Sequence, residues 1–221
     1  MKISDYNEIV SLGSNCNIGL SLRELNLKKE AYPFDWVRTN AKIIYDVLTN
    51  KSNLYAQLNN AIVSNDYFLS NLHYFLHPDF PNTHVNYYGQ HFTHHLDHTP
   101  KLLTDRINRQ LNRFHSLLQT NKKILFIHCN EEYIYHEHSR NHRMELYHYL
   151  CKINDHFLME YPDITFDIIN IDIFDDYTDY KNIKNIKLNY NQQLSERGET
   201  HNKKGYTPYR DGVTQIIKSF L

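Results

Sequence analysis

The apolar run Ile9-Val-Ser-Leu12 stops at Gly13 and passes through Ser14 and Asn15 to Cys16, and no other stretch constrains the fold as much. The run has the length and character of a short buried strand. In the segment that follows, Asn17-Ile-Gly-Leu-Ser-Leu-Arg-Glu-Leu25, Ile18, Leu20, Leu22 and Leu25 approximate helical spacing. Ser14 or Asn15 can cap that helix, which puts Cys16 in its first turn. Unpaired backbone N–H groups and the positive end of the helix dipole gather there, and both favour a thiolate over a thiol. A cysteine at a strand-to-helix turn is therefore a candidate nucleophile. The plain structural reading is a small half-buried residue filling a tight turn.

The rest of the chain alternates in the same way. A strand over about Glu8–Leu12 and a helix from Asn17 to about Leu27 are followed by helical patterns over Thr39–Leu48 and Asn53–Ser64. Between Tyr67 and Thr99 the pattern breaks up; Pro78, Pro81 and Pro100 punctuate a stretch rich in His, Asn and Tyr. Lys101–Gln119 is amphipathic, with Leu103, Ile107, Leu111, Phe114 and Leu118 on one side. Lys123–His128, Ile164–Ile171 and Ile183–Leu188 read as strands. Arg140–Tyr161 and Tyr209–Leu221 read as helices. Repeats and flexible linkers are absent from the sequence.

Apolar strands separated by helices predict an α/β fold, a mainly parallel sheet flanked by helices. A largely helical insertion, approximately 38–120, follows the first strand, and the whole of 1–221 forms one domain. Ligands of such sheets bind beyond the carboxyl ends of the strands. Gly13–Cys16 and His128–Glu132 both follow apolar strands and share that edge.

Ser11-Leu-Gly-Ser-Asn-Cys16, Leu22-Arg-Glu-Leu25 and Ala31-Tyr-Pro-Phe-Asp-Trp-Val37 together resemble the papain-like cysteine peptidase family of bacteria and large DNA viruses. Looser similarities follow in His91-Phe-Thr-His94-His95-Leu-Asp97, in Arg109 to Arg113-Phe114 and in Lys123–Ile127. The resemblance covers roughly the first 130 residues. It implies a thiol nucleophile at Cys16 and a base in the histidine segment. A papain fold, however, sets its cysteine on a helix facing an antiparallel barrel, with no parallel strand before it. The strand–helix alternation here keeps the thiol chemistry separate from that architecture.

A thiol needs a base within hydrogen-bond reach and a third group to fix the imidazole tautomer. His94 and His95 are the candidate bases, with Asp97 or Asp35 as orienter. His128 is a rival on the Cys16 edge, with Glu131 nearby. A backbone N–H at the helix start could hold an oxyanion. Ser14, Asn15, Arg113 and His128 are candidate substrate contacts. Arg106, Arg109 and Arg113 recur at i, i+3 and i+7 and could share an anion-binding face, although a solvated helix face with Asp105 nearby explains them better. Pro33-Phe34-Asp35-Trp36 reads as a turn that buries Phe34 and the single Trp.

Other chemistries have less support. His91, His94, His95 and His98 resemble a ligand cluster, as do His136, His138 and His142, but Ser139 stands where a metalloprotease helix needs Glu. No metal and no cofactor is expected. Ser14 could mimic a hydrolase serine, yet Asp211 is followed by Thr214 rather than the His that such enzymes carry three positions on. A glycan-modifying transferase would want a phosphate-cradling glycine loop, which is missing.

A formal net charge of −1 argues against nucleic acid or an anionic membrane as partner. No apolar segment is long enough to span a bilayer, and the first residues do not form a signal peptide. Three cysteines without framework spacing suggest free thiols and a cytoplasmic setting. The resulting expectation is a cysteine-dependent hydrolase or acyl transferase with a peptide, acyl or glycan substrate. The alternatives are a non-catalytic module that binds a glycan or a protein, and a glycan-modifying transferase.

Overall fold

The computed structural model describes residues 1–13, 16–37, 39–50, 58–59, 84–86, 91–92, 100–129, 140–172, 177–188 and 206–221. A 3-10 turn, Ile3–Asp5, precedes β1 (Glu8–Ser11), α1 (Cys16–Glu24) and α2 (Ala41–Asn50). Three short strands follow: β2 (Leu58–Asn59), β3 (His84–Asn86) and β4 (His91–Phe92). Next come α3 (Pro100–Leu118), β5 (Lys123–Cys129), α4 (Arg140–Glu160), β6 (Thr165–Asp172), β7 (Ile183–Lys187) and α5 (Tyr206–Lys218).

β1, β5, β6 and β7 form a four-stranded sheet in that order, parallel throughout. The α/β class and the parallel sheet flanked by helices are as the alternation predicts. Within the described residues the insertion is not purely helical. Leu58 and Asn59, inside the pattern read as a helix over 53–64, pair antiparallel with Asn86 and Val85, and β4 extends this second small sheet. A short apolar run satisfies helical spacing and strand pairing alike, and here the partner strand decides.

Strand alternation divides the core between the two faces of the main sheet. On the first face Val10, Leu12, Ile124, Phe126, Phe166 and Ile168 pack against α2, α3 and α4. Phe126 meets Phe157 of α4 at 5.0 Å between ring centroids and Phe114 of α3 at 6.1 Å. The second face presents Ile9, Leu125, Ile127, Ile169 and Ile171 to Ile18 and Leu22 of α1 and to Val213 and Ile217 of α5. β1 is an edge strand of the sheet, so the Cys16 turn lies at a corner. Among the described residues no helix is long and apolar enough to cross a membrane.

Candidate active site

The strand-to-helix corner is built by Gly13. Its φ of +82° lies in the left-handed region, where a side chain is strained, and an added Cβ would sit 2.5 Å from Thr39 Cγ2. The Gly13 N–H donates to Ser11 Oγ at 3.1 Å, and its carbonyl accepts from the Cys129 N–H at 3.1 Å. The parallel ladder thus extends past β1 before the chain turns away. Ser14 and Asn15 lie outside the described residues. Cys16 is the first residue of α1 and is half-buried, whereas Cys129 is fully buried in the sheet. Cys151, half-buried in α4, has its thiol pushed up by burial.

α1 is held on its far side by Ile18 and Leu22 in the core and by Ser21 Oγ, 2.8 Å from Thr214 Oγ1 of α5. Cys16, Gly19 and Arg23 share another face, at i, i+3 and i+7. The 31–37 turn covers that face. An added Cβ on Gly19 would lie 2.8 Å from the Asp35 carbonyl oxygen, so only glycine permits this approach. The Arg23 guanidinium lies 5.5 Å from the centre of the Trp36 ring, and Lys28 Nζ lies 5.0 Å from it.

The turn itself is tightly determined. Asp35 Oδ2 accepts from the Tyr32 N–H at 2.6 Å and pairs with Lys28 Nζ at 2.5 Å. Burial lifts this carboxyl above the usual carboxylate range, although Lys28, the Tyr32 N–H and Arg106 pull it down. Phe34 is fully buried against Phe114 in an edge-on contact at 5.7 Å. Arg113, a candidate substrate contact, donates to the Ala31 carbonyl at 2.7 Å and lies 3.3 Å from Glu30. It ties α3 to the start of the turn. The Asp35 carboxylate likewise serves its own turn and Lys28.

His128 is fully buried near the carboxyl end of β5, with Nδ1 3.1 Å from the Leu12 carbonyl oxygen. In register it stands beside Asn170 of β6, which stands beside Asn185 of β7. Asn170 Nδ2 donates to Asn185 Oδ1 at 2.9 Å; Asn185 Nδ2 donates to the Tyr147 hydroxyl and the Thr178 carbonyl, each at 2.9 Å. Burial pushes the Tyr147 hydroxyl up to about 12. Asn170 Oδ1 is buried without a hydrogen-bond partner among the described residues. This row faces α4 on the first face of the sheet, while α1 packs on the second. The sheet therefore stands between the His128 ring and the body of the Cys16 helix.

His94, His95, Asp97, His98, Glu131, His136 and His138 lie outside the described residues; the backbone of His91 pairs with Val85 in the small sheet. Among the described residues no group of three or more His, Cys, Asp or Glu could hold a metal ion. Sequence reasoning overlooked Asn170, Asn185 and Lys28. The only signal for Asn170 was a polar residue inside an apolar strand pattern, Ile169-Asn-Ile171.

The profile of a family described as Putative papain-like cysteine peptidase (DUF1796) matches residues 7–175, from the start of β1 to just past β6. The chain belongs to this family. Membership gives it a peptidase-like assignment at family level, and the match spans Cys16, the 31–37 turn and the His128–Asn170 pair. A protein of Acanthamoeba polyphaga mimivirus, "Uncharacterized protein R408", is 47% identical over 38 residues, which is 17% of each chain. No solved structure matches. Cys16 of this papain-like family member follows a strand of a parallel sheet.

Proposed function

We propose that this chain is a cysteine-dependent hydrolase or acyl transferase of the peptidase type, with Cys16 as nucleophile. One observation carries the reading: of three cysteines, Cys16 alone is half-exposed at a helix N-terminus on the carboxyl edge of a parallel sheet. The thiolate would attack a substrate carbonyl carbon, forming a C–S bond and a tetrahedral oxyanion. Backbone N–H groups at the start of α1 would hold the oxyanion. Collapse breaks the bond to the leaving group, which takes a proton from the imidazolium of the base. Water then cleaves the thioester in a hydrolase, and another nucleophile does so in a transferase.

The base is assigned to His94 or His95 with Asp97 as orienter, in line with the family resemblance. His128 fits a supporting role better, because its Nδ1 is engaged by Leu12 and its ring faces away from α1. Asp35 and Arg113 fit as residues that position the turn over α1, and Ser14 and Asn15 as neighbours of the bound carbonyl. Free thiols are consistent with action in the reducing cytoplasm.

The test is the pH dependence of Cys16 alkylation by iodoacetamide, resolved by peptide mass spectrometry, followed by substrate screening with Cys16→Ala as control. Rapid alkylation of Cys16 well below pH ~8.5, the reference thiol value, is expected. Ordinary or absent reactivity at Cys16 would overturn the nucleophile and leave a binding module.

A further inference from the structure

We infer that the substrate is a peptide bearing an acidic residue about three positions from the carbonyl that Cys16 attacks. This rests on Cys16 being the nucleophile.

The argument starts from the face shared by Cys16, Gly19 and Arg23. Seven residues at 1.5 Å rise put Arg23 about 10 Å along the helix axis from Cys16, almost directly in line with it. The 31–37 turn lies along this face, touching Gly19 through Asp35 and Arg23 through Trp36. The turn closes this face at Gly19, so a substrate entering at Cys16 would run along the open flank of α1, past half-buried Leu20, to reach exposed Arg23. An extended peptide advances about 3.3–3.6 Å per residue, so 10 Å corresponds to three residues.

The charge there is positive. Arg23 is exposed, and its guanidinium lies over the face of Trp36. A cation–π contact leaves the in-plane guanidinium N–H donors directed outward, in the fork that matches a carboxylate. Lys28 stands against the same indole, and Arg106 acts on Asp35 from α3. Facing these cations, Asp35 is a single buried carboxylate already paired with Lys28. Glu24 is about 100° round the helix from Arg23, and Glu30 is beside Arg113. Trp36, itself half-buried, offers an apolar surface next to the free donors.

Chloroacetyl-Gly-Gly-Asp amide and acetyl-Asp-Gly-Gly chloromethyl ketone, each with its Asn counterpart, test this in both chain directions. In each probe the Cys16 thiolate displaces chloride: a C–S bond forms, the C–Cl bond breaks, and chloride leaves with the electron pair. At low ionic strength the Asp probe of at least one pair should label Cys16 roughly two- to fivefold faster than the Asn probe, as one ion pair in water-like surroundings allows. The preference should fade at about 0.5 M salt, as screening requires. It should vanish in Arg23→Gln, survive in Arg23→Lys, and survive in Lys122→Gln, which removes the same charge near the opposite end of β5. Equal rates in both pairs, or a preference that persists in Arg23→Gln, would overturn the acidic-peptide inference while leaving the nucleophile standing. Failure of Cys16 to react with any probe would remove both.

Discussion

The Nδ1 atom of His128 lies 3.1 Å from the carbonyl oxygen of Leu12, and this contact decides which ring nitrogen carries the proton. A carbonyl only accepts, so the neutral imidazole is the Nδ1–H tautomer and Nε2 holds the lone pair. The bond joins β5 to the residue before the Gly13 corner, and so to the approach of Cys16. Nitrogen-15 NMR of the His128 ring should show a protonated Nδ1 at neutral pH. His128→Phe leaves that carbonyl without its donor and should cost about 1–3 kcal/mol, read from urea unfolding. An Nε2–H tautomer would contradict the assignment.

The three thiols should separate by position. Cys129 is buried in the sheet and should react only on unfolding. Burial holds the Cys151 thiol above its usual range, so its alkylation should rise at a higher pH than that of Cys16. Peptide-resolved labelling across pH 6–10 (roughly bracketing the reference thiol value) should give the order Cys16, Cys151, Cys129. Cys151 ahead of Cys16 would remove the electrostatic case for the helix start.

Two glycines in the corner should resist substitution for different reasons. Gly13→Ala meets backbone strain of about 1–2 kcal/mol at φ +82° and also the Thr39 methyl at 2.5 Å. Adding Thr39→Ser removes that methyl, so the double variant should recover part of the loss, with a coupling on the order of 0.5–3 kcal/mol. Gly19→Ala meets the Asp35 carbonyl at 2.8 Å; this overpacking costs about 1–3 kcal/mol, against about 1 kcal/mol gained in helix propensity. Thermal melts should show both single variants lowered. In Gly19→Ala the loss should be accompanied by altered Trp36 fluorescence, because the turn must lift.

Much of this arrangement was legible in the chain. The strands and helices around Cys16 follow from apolar periodicity, since each buries one stripe or face against its neighbours: the helix read over Lys101–Gln119 is observed as Pro100–Leu118. Pro33–Trp36 was legible as a turn burying Phe34, but Trp36, expected to be buried with it, is only half-buried. The Lys28–Asp35 pair was not, because it depends on how the chain folds back after α1, which no local pattern encodes. The pairing of Leu58–Asn59 with β3 is non-local in the same sense. The His128–Asn170–Asn185 row needed strand order and register, and one residue of slip would have turned it to the other face. Whether His128 or the 94–97 segment serves Cys16 is likewise a matter of which face α1 covers.

Asp35 gives the sharpest pH prediction. Burial raises its folded pKa above the unfolded value near 3.9, so between those two values the folded chain holds more protons than the unfolded chain. Stability from this group is therefore full below about pH 4 and is lost as pH rises through the folded pKa. Asp35→Asn keeps an oxygen for the Tyr32 N–H but cannot ionise. The unfolding free energy of the wild type minus that of Asp35→Asn should accordingly decline from about pH 4 towards neutrality, measured by urea titration at each pH. Asp35→Ala removes the acceptor as well, and should lose about 1–3 kcal/mol even at low pH. A difference that instead grows with pH would mean that the attraction of Lys28 outweighs the cost of burial. The carboxylate would then be a net stabiliser of the turn over α1.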